Sequence, residues 1–291
     1  MKNIKGIILA GGKGQRLWPT TLSVSKQLLP VYDKPLVYYP LTTLMIAGIR
    51  DIMIITTERE QEKFKNLLGD GSKWGLNFQY CIQDKPRGIV DAFIIAENFI
   101  DSSEVALILG DNIFYGSGLS NLLMNSIDNH KDATIFSYYV NDPKNYGVCN
   151  FDKQNNLVEI IEKPKTYISN WVVTGLYLYN NEVTDVAKKI KPSKRGELEI
   201  TDLNNYFLKN NRLNCCKLNR GYAWLDAGSP KSLLDASIFV ETVESRQGLK
   251  IGCPEEIAYR MNFITKKELE NIIDNIKHLE YSKYLIKIFN L

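Results

Sequence analysis

Apolar residues in the first half of the chain fall into short β-branched runs separated by stretches with helical spacing. Gly6–Ala10, Ile52–Thr56, Val105–Leu109 and Thr134–Val140 are nearly continuous apolar runs of strand length, the pattern of strands covered on both faces. Between them, Leu36–Gly48, Gln61–Leu68, Ile89–Phe99 and Leu119–Asp128 read as helices, and Glu58, Glu60 and Glu62 as a solvated helix start. This alternation predicts an α/β fold with a Rossmann-like, largely parallel sheet flanked by helices. Ligands then belong beyond the carboxyl ends of the strands, where both the loop at Gly11 and Asp111 should lie.

From Tyr146 to Tyr179 the helical signal fades. Short strands broken at Asp152–Asn156 and Lys163–Asn170 predict an antiparallel insertion. Helices return at Glu182–Ile190, Glu199–Lys209 and Pro230–Arg246. In the tail, Leu269, Ile272, Ile273, Ile276 and Leu279 recur at helical spacing among charged residues. The segment Pro254–Leu291 therefore reads as a helical appendage, packed on the core or on a neighbouring subunit. The division expected is a core over residues 1–250 and an appendage over 251–291.

Composition narrows the function more by exclusion than by indication. With 291 residues, 44% of them hydrophobic, the chain can bury a sizeable core. A net charge of +3 is too small to imply nucleic-acid binding. No run of about 18 apolar residues is present, so no membrane span is expected, and the first residues lack the apolar core of a signal peptide. Five cysteines without C-x-x-C spacing read as reduced thiols, consistent with a cytoplasmic protein. The two histidines, His130 and His278, stand far apart without motif context, which argues against histidine-based catalysis and zinc.

The chemistry concentrates where the first strand ends. Gly11, Gly12 and Gly14 form a loop that brings backbone N–H groups close to an anion, and Arg16 and Lys26 add fixed positive charge. The segment lacks the G-x-x-x-x-G-K-[ST] string of a P-loop. It also has Leu17 where a dinucleotide fingerprint needs its third glycine, which weakens a dehydrogenase reading. Leu9-Ala10-Gly11-Gly12-Lys13-Gly14-Gln15-Arg16-Leu17 with Pro19, followed by Ser25-Lys26-Gln27-Leu28-Leu29-Pro30, resembles the sugar-nucleotide pyrophosphorylases. The continuation through Tyr32-Asp33-Lys34-Pro35 is similar to their glucose-1-phosphate thymidylyltransferase branch. The likeness runs in order through Gly110-Asp111-Asn112, Tyr146-Gly147-Val148, Glu162-Lys163-Pro164, Val173-Thr174-Gly175, Arg195-Gly196-Glu197-Leu198-Glu199 and Trp224-Leu225-Asp226 to Cys253-Pro254-Glu255-Glu256.

The resemblance implies a GT-A-like nucleotidyltransferase that joins a sugar 1-phosphate to a nucleoside triphosphate and releases pyrophosphate. Its expected substrates are dTTP and glucose 1-phosphate. A nucleotide-binding part over about 1–140 and a sugar-binding part over about 141–228 would share the work. Leu9, Gly11, Gly12, Gly14, Arg16, Lys26, Gln27, Gln83 and Gly88 would hold the nucleotide. Asn112, Tyr146, Gly147, Glu162, Lys163 and Val173 would hold the sugar phosphate. Arg16, Lys26, Lys163, Asp111 and Asp226 would carry the chemistry, with Asp111 and Asp226 binding Mg²⁺. A phosphate monoester with a second pKa of about 6 is already largely dianionic at neutral pH, so no histidine base is required.

The same resemblance implies a homotetramer inhibited by a dTDP-deoxysugar, as in dTDP-rhamnose synthesis, through Tyr115, Gly116, Arg220, Glu256 and Arg260. The chain departs from the family pattern at Ile89 and Asp91, where Leu and Gln are usual, at Trp171, and at Ala227-Gly228-Ser229. These departures leave the five chemical residues intact but touch substrate preference, so the same chemistry with UTP or another hexose 1-phosphate stays open. A non-catalytic nucleotide-sugar sensor is the remaining alternative, and it would be expected to lack one of those five.

Overall fold

A computed structural model describes residues 3–12, 14–130 and 132–290. Lys13 of the glycine loop and Leu291 at the end of the appendage lie outside the described residues.

Three of the strands predicted from the apolar runs, with a fourth that the pattern did not announce, form the parallel half of a nine-stranded sheet, and the predicted strand at Thr134–Val140 lies in the other half. The chain begins with β1 (Ile4–Leu9), a small hairpin of β2 (Pro30–Val31) and β3 (Lys34–Pro35), α1 (Tyr38–Ile46), β4 (Asp51–Thr56), α2 (Glu58–Leu68) and β5 (Asn77–Ile82). Next come α3 (Asp91–Ile95), α4 (Glu97–Ile100), β6 (Glu104–Leu109), β7 (Asn112–Gly116), α5 (Leu119–Asp128) and β8 (Ala133–Tyr139). Strands β5, β4, β1 and β6 lie side by side and parallel. Ile7 packs with Met53, Ile55 and Leu107 on one face, and Ile8 with Ile52, Ile54 and Ile108 on the other. Burial on both faces explains why these runs show no polar alternation.

The second half of the sheet is mostly antiparallel. It holds β9 (Gly147–Phe151), β10 (Leu157–Glu162) and β11 (Trp171–Tyr179), which precede α6 (Val183–Ala187), α7 (Ile200–Lys209), β12 (Leu213–Leu218), β13 (Tyr222–Asp226) and α8 (Pro230–Gln247). The expected insertion is the β9–β10 hairpin, turned at Asp152–Asn156, with β11 beside it. It continues the main sheet rather than forming one of its own, because β11 also pairs antiparallel with β6 and β8. Strands β7 and β13 make a separate two-stranded sheet that the sequence pattern did not announce.

Other differences have local causes. The helix expected over Ile89–Phe99 starts at Asp91 and breaks at Ala96 into α3 and α4. Its first residues are held instead against Leu198, whose carbonyl accepts the Val90 N–H at 3.5 Å and whose N–H donates to the Arg87 carbonyl just before them at 2.6 Å. Glu60 is buried rather than solvated, because it accepts the Ser25 backbone N–H at 3.0 Å. The tail forms α9 (Pro254–Arg260), α10 (Lys266–Asn275) and α11 (Glu280–Phe289). It packs on the chain's own core: Ala258, Leu269, Ile273 and Leu285 join the cluster around Trp74, and the Trp74 indole N–H donates to Glu255 at 3.0 Å. Leu279, read as part of the apolar stripe, is exposed. No helix among the described residues is long and apolar enough to cross a membrane.

Candidate active site

Because β1, β5 and β6 run in the same direction, Gly11, Gln83 and Asp111 emerge at one edge of the sheet. Two adjoining cavities open there. The smaller, about 260 Å³, is lined by Leu9, Gly12, Lys26, Gln27, Gln83 and Gly88, and on its far side by Arg195 and Glu199. The larger, about 420 Å³, is lined by Arg16, Asn112, Tyr146, Gly147, Val173, Thr201, Trp224 and Asp226. Ile89, Asp111, Glu162 and Lys163 line both and form the boundary between them.

The two aspartates come together through strand pairing. Asp226 ends β13 opposite Asn112 of β7, and the Ala227 N–H donates to the Asp111 carbonyl at 3.0 Å. Their electrostatics diverge. Burial alone would raise the Asp111 carboxyl, but the Lys26 ammonium, which pairs with it, holds it below its ordinary value. Asp226 is raised, by burial and then by the negative charge of Asp111, against smaller opposing effects of the Tyr146 hydroxyl and Arg16. A like-charged pair, only one member of which has an ion-paired cation among the described residues, suits a further cation. Both donors are hard carboxylate oxygens, as Mg²⁺ prefers. Among the described residues no group of three or more His, Cys, Asp and Glu could hold a metal, so water or substrate oxygens would have to complete the shell.

Neighbouring groups fix the pair in place. Asn112 is 2% exposed, and its Oδ1 accepts both the Trp224 indole N–H at 2.6 Å and the Gly175 N–H at 3.0 Å. Its Nδ2 donates to Asp111 at 3.1 Å. The carbonyl oxygen that could take a sugar hydroxyl is thus committed to the protein. The Tyr146 hydroxyl donates to Asp226 at 3.1 Å. The Arg16 guanidinium lies against Gly228, where a Cβ would sit 2.6 Å from Nη2.

At the boundary, Lys163 adopts φ 44°, a left-handed backbone that a side-chain-bearing residue takes only under constraint. Its N–H donates to the Tyr146 carbonyl at 2.9 Å, and its ammonium is 3.5 Å from Glu162. Glu162 in turn accepts from Thr201 Oγ1 at 2.6 Å and Arg195 at 3.3 Å. Arg195 and Thr201 were not singled out from sequence, although Arg195 opens the run Arg195–Glu199 that carries part of the resemblance and Thr201 lies two residues beyond it. Gln27 is buried, with its side-chain oxygen taken by the Ser25 hydroxyl. Gly11 abuts Gln83, and Gly14 is left-handed at φ 60°.

The matching family model, nucleotidyl transferase, covers residues 5–243. The chain belongs to the nucleotidyl transferase family. As a nucleotidyltransferase it has full-length relatives. The glucose-1-phosphate thymidylyltransferase of Xanthomonas campestris is 51% identical over 98% of this chain and 97% of its own. Those of Neisseria gonorrhoeae and Mycolicibacterium smegmatis are each 50% identical, over 98% and 99% of this chain and 99% of their own lengths. A crystal structure described as a Bacillus anthracis glucose-1-phosphate thymidylyltransferase superposes with a TM-score of 0.75 at 40% identity, over 81% of this chain and 94% of that one. A UDP-glucose pyrophosphorylase shares the fold at a TM-score of 0.74 and 23% identity, over 84% of this chain and 100% of that one.

The transferase departs from its family pattern both inside and outside the cleft: Ile89 lines both cavities and Ser229 the larger one. Trp171 lines neither cavity and packs edge-on against Tyr139 at 5.7 Å. Ser229 caps α8. A third cavity, about 340 Å³, is lined by Tyr115, Gly116, Lys250, Gly252 and Ile257. Glu256 and Arg260 lie outside its lining and pair with each other at 2.7 Å, and Arg220 is exposed on the turn before β13.

Proposed function

We propose that this nucleotidyltransferase is a glucose-1-phosphate thymidylyltransferase. The observation that carries the reading is the pair of adjoining cavities with Asp111, Glu162 and Lys163 on their common boundary. The smaller takes the nucleoside, with Gln83 and Gly88 at the base. The larger takes the hexose, between Tyr146, Gly147, Glu162 and Val173. Lys163 then stands where the sugar's phosphate meets the α-phosphate.

A phosphate oxygen of glucose 1-phosphate attacks the α-phosphorus of dTTP. The P–O bond to the β-phosphate breaks, and its electron pair leaves with pyrophosphate. The nucleophile needs no base. What the protein must supply is alignment and positive charge. Arg16 and Lys26 serve the triphosphate, and Lys163, helped by Arg195, serves the sugar phosphate. Asp111 and Asp226 would hold Mg²⁺, which when bound neutralises charge on the reacting phosphates. Lys26 keeps Asp111 ionised and ready for a cation.

Residues 1–140 and 141–228 correspond to the nucleotide and sugar sides of this core, and 251–291 to an appendage. The cavity at Tyr115 and Gly116 is the place for a dTDP-deoxysugar regulator in an assembled homotetramer. The test is pyrophosphate release from dTTP and UTP, each with glucose 1-phosphate and Mg²⁺, beside galactose 1-phosphate and no-sugar controls. Release that needs glucose 1-phosphate and favours dTTP is expected. Release only with UTP or galactose 1-phosphate would move the substrate, and no release would overturn the reading.

A further inference from the structure

We infer that Asp91, which stands where the family pattern has glutamine, fixes Gln83 as a pure hydrogen-bond acceptor toward the base and so sets which pyrimidines the cleft admits. The inference rests on the nucleotide side of the function proposed above. Gln83 is 4% exposed and leaves the end of β5, its backbone N–H donating to the Thr56 carbonyl at 2.8 Å. Its amide nitrogen has two hydrogens and two partners: Asp91 Oδ2 at 3.0 Å and the Gly88 carbonyl at 3.3 Å. Both partners are acceptors. Reversing the amide would set its oxygen against a carboxylate and a carbonyl, with no hydrogen between them.

The surroundings hold both partners still. Asp91 is 4% exposed and has the Arg87 guanidinium 3.7 Å away. Gly88 reaches φ 106°, a backbone that turns its carbonyl toward Gln83, and a side chain there would meet the Leu198 carbonyl. Oε1 is left on the opposite side of the amide, so close to Gly11 that a Cβ on that residue would lie 2.5 Å from it. Gln83 and Gly88 line the smaller cavity, and this oxygen takes no hydrogen bond from the described residues, which leaves it to a ligand.

An acceptor alone selects for a ring N–H. Thymine and uracil carry a hydrogen on N3 and satisfy it. Cytosine presents a lone pair at N3 and opposes it. An amide at position 91 could donate as well as accept, so it would tolerate either orientation of Gln83. The carboxylate removes that freedom. Asp91 is therefore a positioning residue that acts through Gln83 and distinguishes dTTP from dCTP, while leaving the 5-methyl group, and hence dUTP, undecided.

The test is equilibrium binding of dTTP, dUTP and dCTP to wild type, Asp91→Asn and Asp91→Leu by titration calorimetry, with thermal denaturation of each and steady-state turnover. Asn can donate to a reversed Gln83, whereas Leu removes the acceptor and supplies no donor. Asp91→Asn is expected to reduce the dTTP-over-dCTP preference about tenfold or more. Part of that change should be a gain for dCTP, and in turnover KM for dTTP should change rather than kcat. Asp91→Leu is expected to weaken dTTP without improving dCTP. A folded Asp91→Asn protein with an unchanged preference would overturn the inference, as would a wild type that binds dTTP and dCTP equally. Selective dTTP binding without sugar-dependent pyrophosphate release would instead defeat the proposed reaction and leave the role of Asp91 standing.

Discussion

Two groups of partly buried charge in this molecule use the same residue types to opposite ends. Beneath the C-terminal appendage, Asp33, Lys34, Glu244 and Lys250 form a closed set: Lys34 pairs with Asp33 and with Glu244 at 2.9 Å, and Lys250 with Asp33 and with Glu244 at 3.4 Å. Two anions meet two cations, and the Ile251 N–H adds a further donor to Glu244 at 2.8 Å. In the cleft, Asp111 has Lys26 beside it, whereas among the described residues Asp226 is met by the Tyr146 hydroxyl, a backbone N–H and the field of the exposed Arg16. The closed set joins the turn at Tyr32 to α8 and the segment before α9, and it is neutral without help. The cleft pair sets two carboxylates beside one paired ammonium, so added positive charge favours its ionised form. A protein that leaves a carboxylate under-compensated beside another stores a preference for a cation there.

The largest effect that would break this contrast is in Asp226→Asn. Asparagine keeps the oxygen that accepts from Tyr146 but removes the charge that Asp111 repels. Turnover is expected to fall about 10³-fold, the scale on which a lost electrostatic contact to a transition state is felt. The thermal midpoint measured without divalent cation is expected to stay level or rise, because a repulsion has gone. If activity and stability fall together, Asp226 is structural and the contrast is false.

Glu244→Gln tests the other side. Removing one member of a buried, paired set strands its partners and costs about 3 kcal/mol. In thermal denaturation that is a drop of about 6 °C or more. kcat should change by less than twofold, since none of the four residues lines either cleft cavity. A tenfold loss of kcat in a folded Glu244→Gln protein would instead tie this network to the cleft.

How far each region could be read from sequence follows from the same physics. The glycine loop, Lys26, Asp111 and Lys163 were picked out by the ordered resemblance, and the fold brings Gly12, Lys26, Asp111 and Lys163 around one cavity. The parallel strands were legible because burial on both faces leaves an unbroken apolar run, as in Ile52–Thr56. Strand β5 was missed because Asn77, Gln79 and the half-exposed Tyr80 dilute an edge strand's apolar signal. The short strands β7 and β13 hide for a different reason, since their pairing is with each other across more than 100 residues. Glu60 looked solvated because sequence gives a charge no address. Only the fold shows that the Ser25 N–H, at the start of the Lys26 turn, needs an acceptor there. Asp91 is the same lesson in the cleft: a charge that seemed out of place beside the base has Gln83 as its partner.

Lys163→Ala should separate the two cavities that share this residue. KM for glucose 1-phosphate is expected to rise about 10- to 100-fold, the scale of a lost charge-assisted contact, while KM for dTTP changes little. Steady-state kinetics with each substrate varied in turn reads the split. A rise confined to dTTP would assign Lys163 to the triphosphate and leave Arg195 as the principal cation for the sugar phosphate.

The smallest expected effect carries a sign, and the sign is what distinguishes the two regions. Asp33 is held below its ordinary carboxylate value: burial pushes it up, but hydrogen bonds from Lys250 and Lys34 and their charges outweigh that. Its contribution to stability is therefore fully present above its unfolded value, near 3.8, and is lost as the pH falls through the lower folded value. Asp226 is raised above the same 3.8, so its protonated form is the one the fold favours. The stability linked to it is present at low pH and disappears as the pH rises through the folded value. Thermal midpoints of wild type and the two Asn variants, followed from pH 7 down to pH 3 without divalent cation, should show this. Asp33→Asn should be less stable than wild type at pH 7, with the gap closing toward the acid end. Asp226→Asn should match or exceed wild type at pH 7, its advantage shrinking as the pH drops. Each trend is expected to amount to a few degrees. Parallel trends in the two variants would mean that both carboxylates are equally compensated, and the cleft would then have no unmet charge to offer a cation.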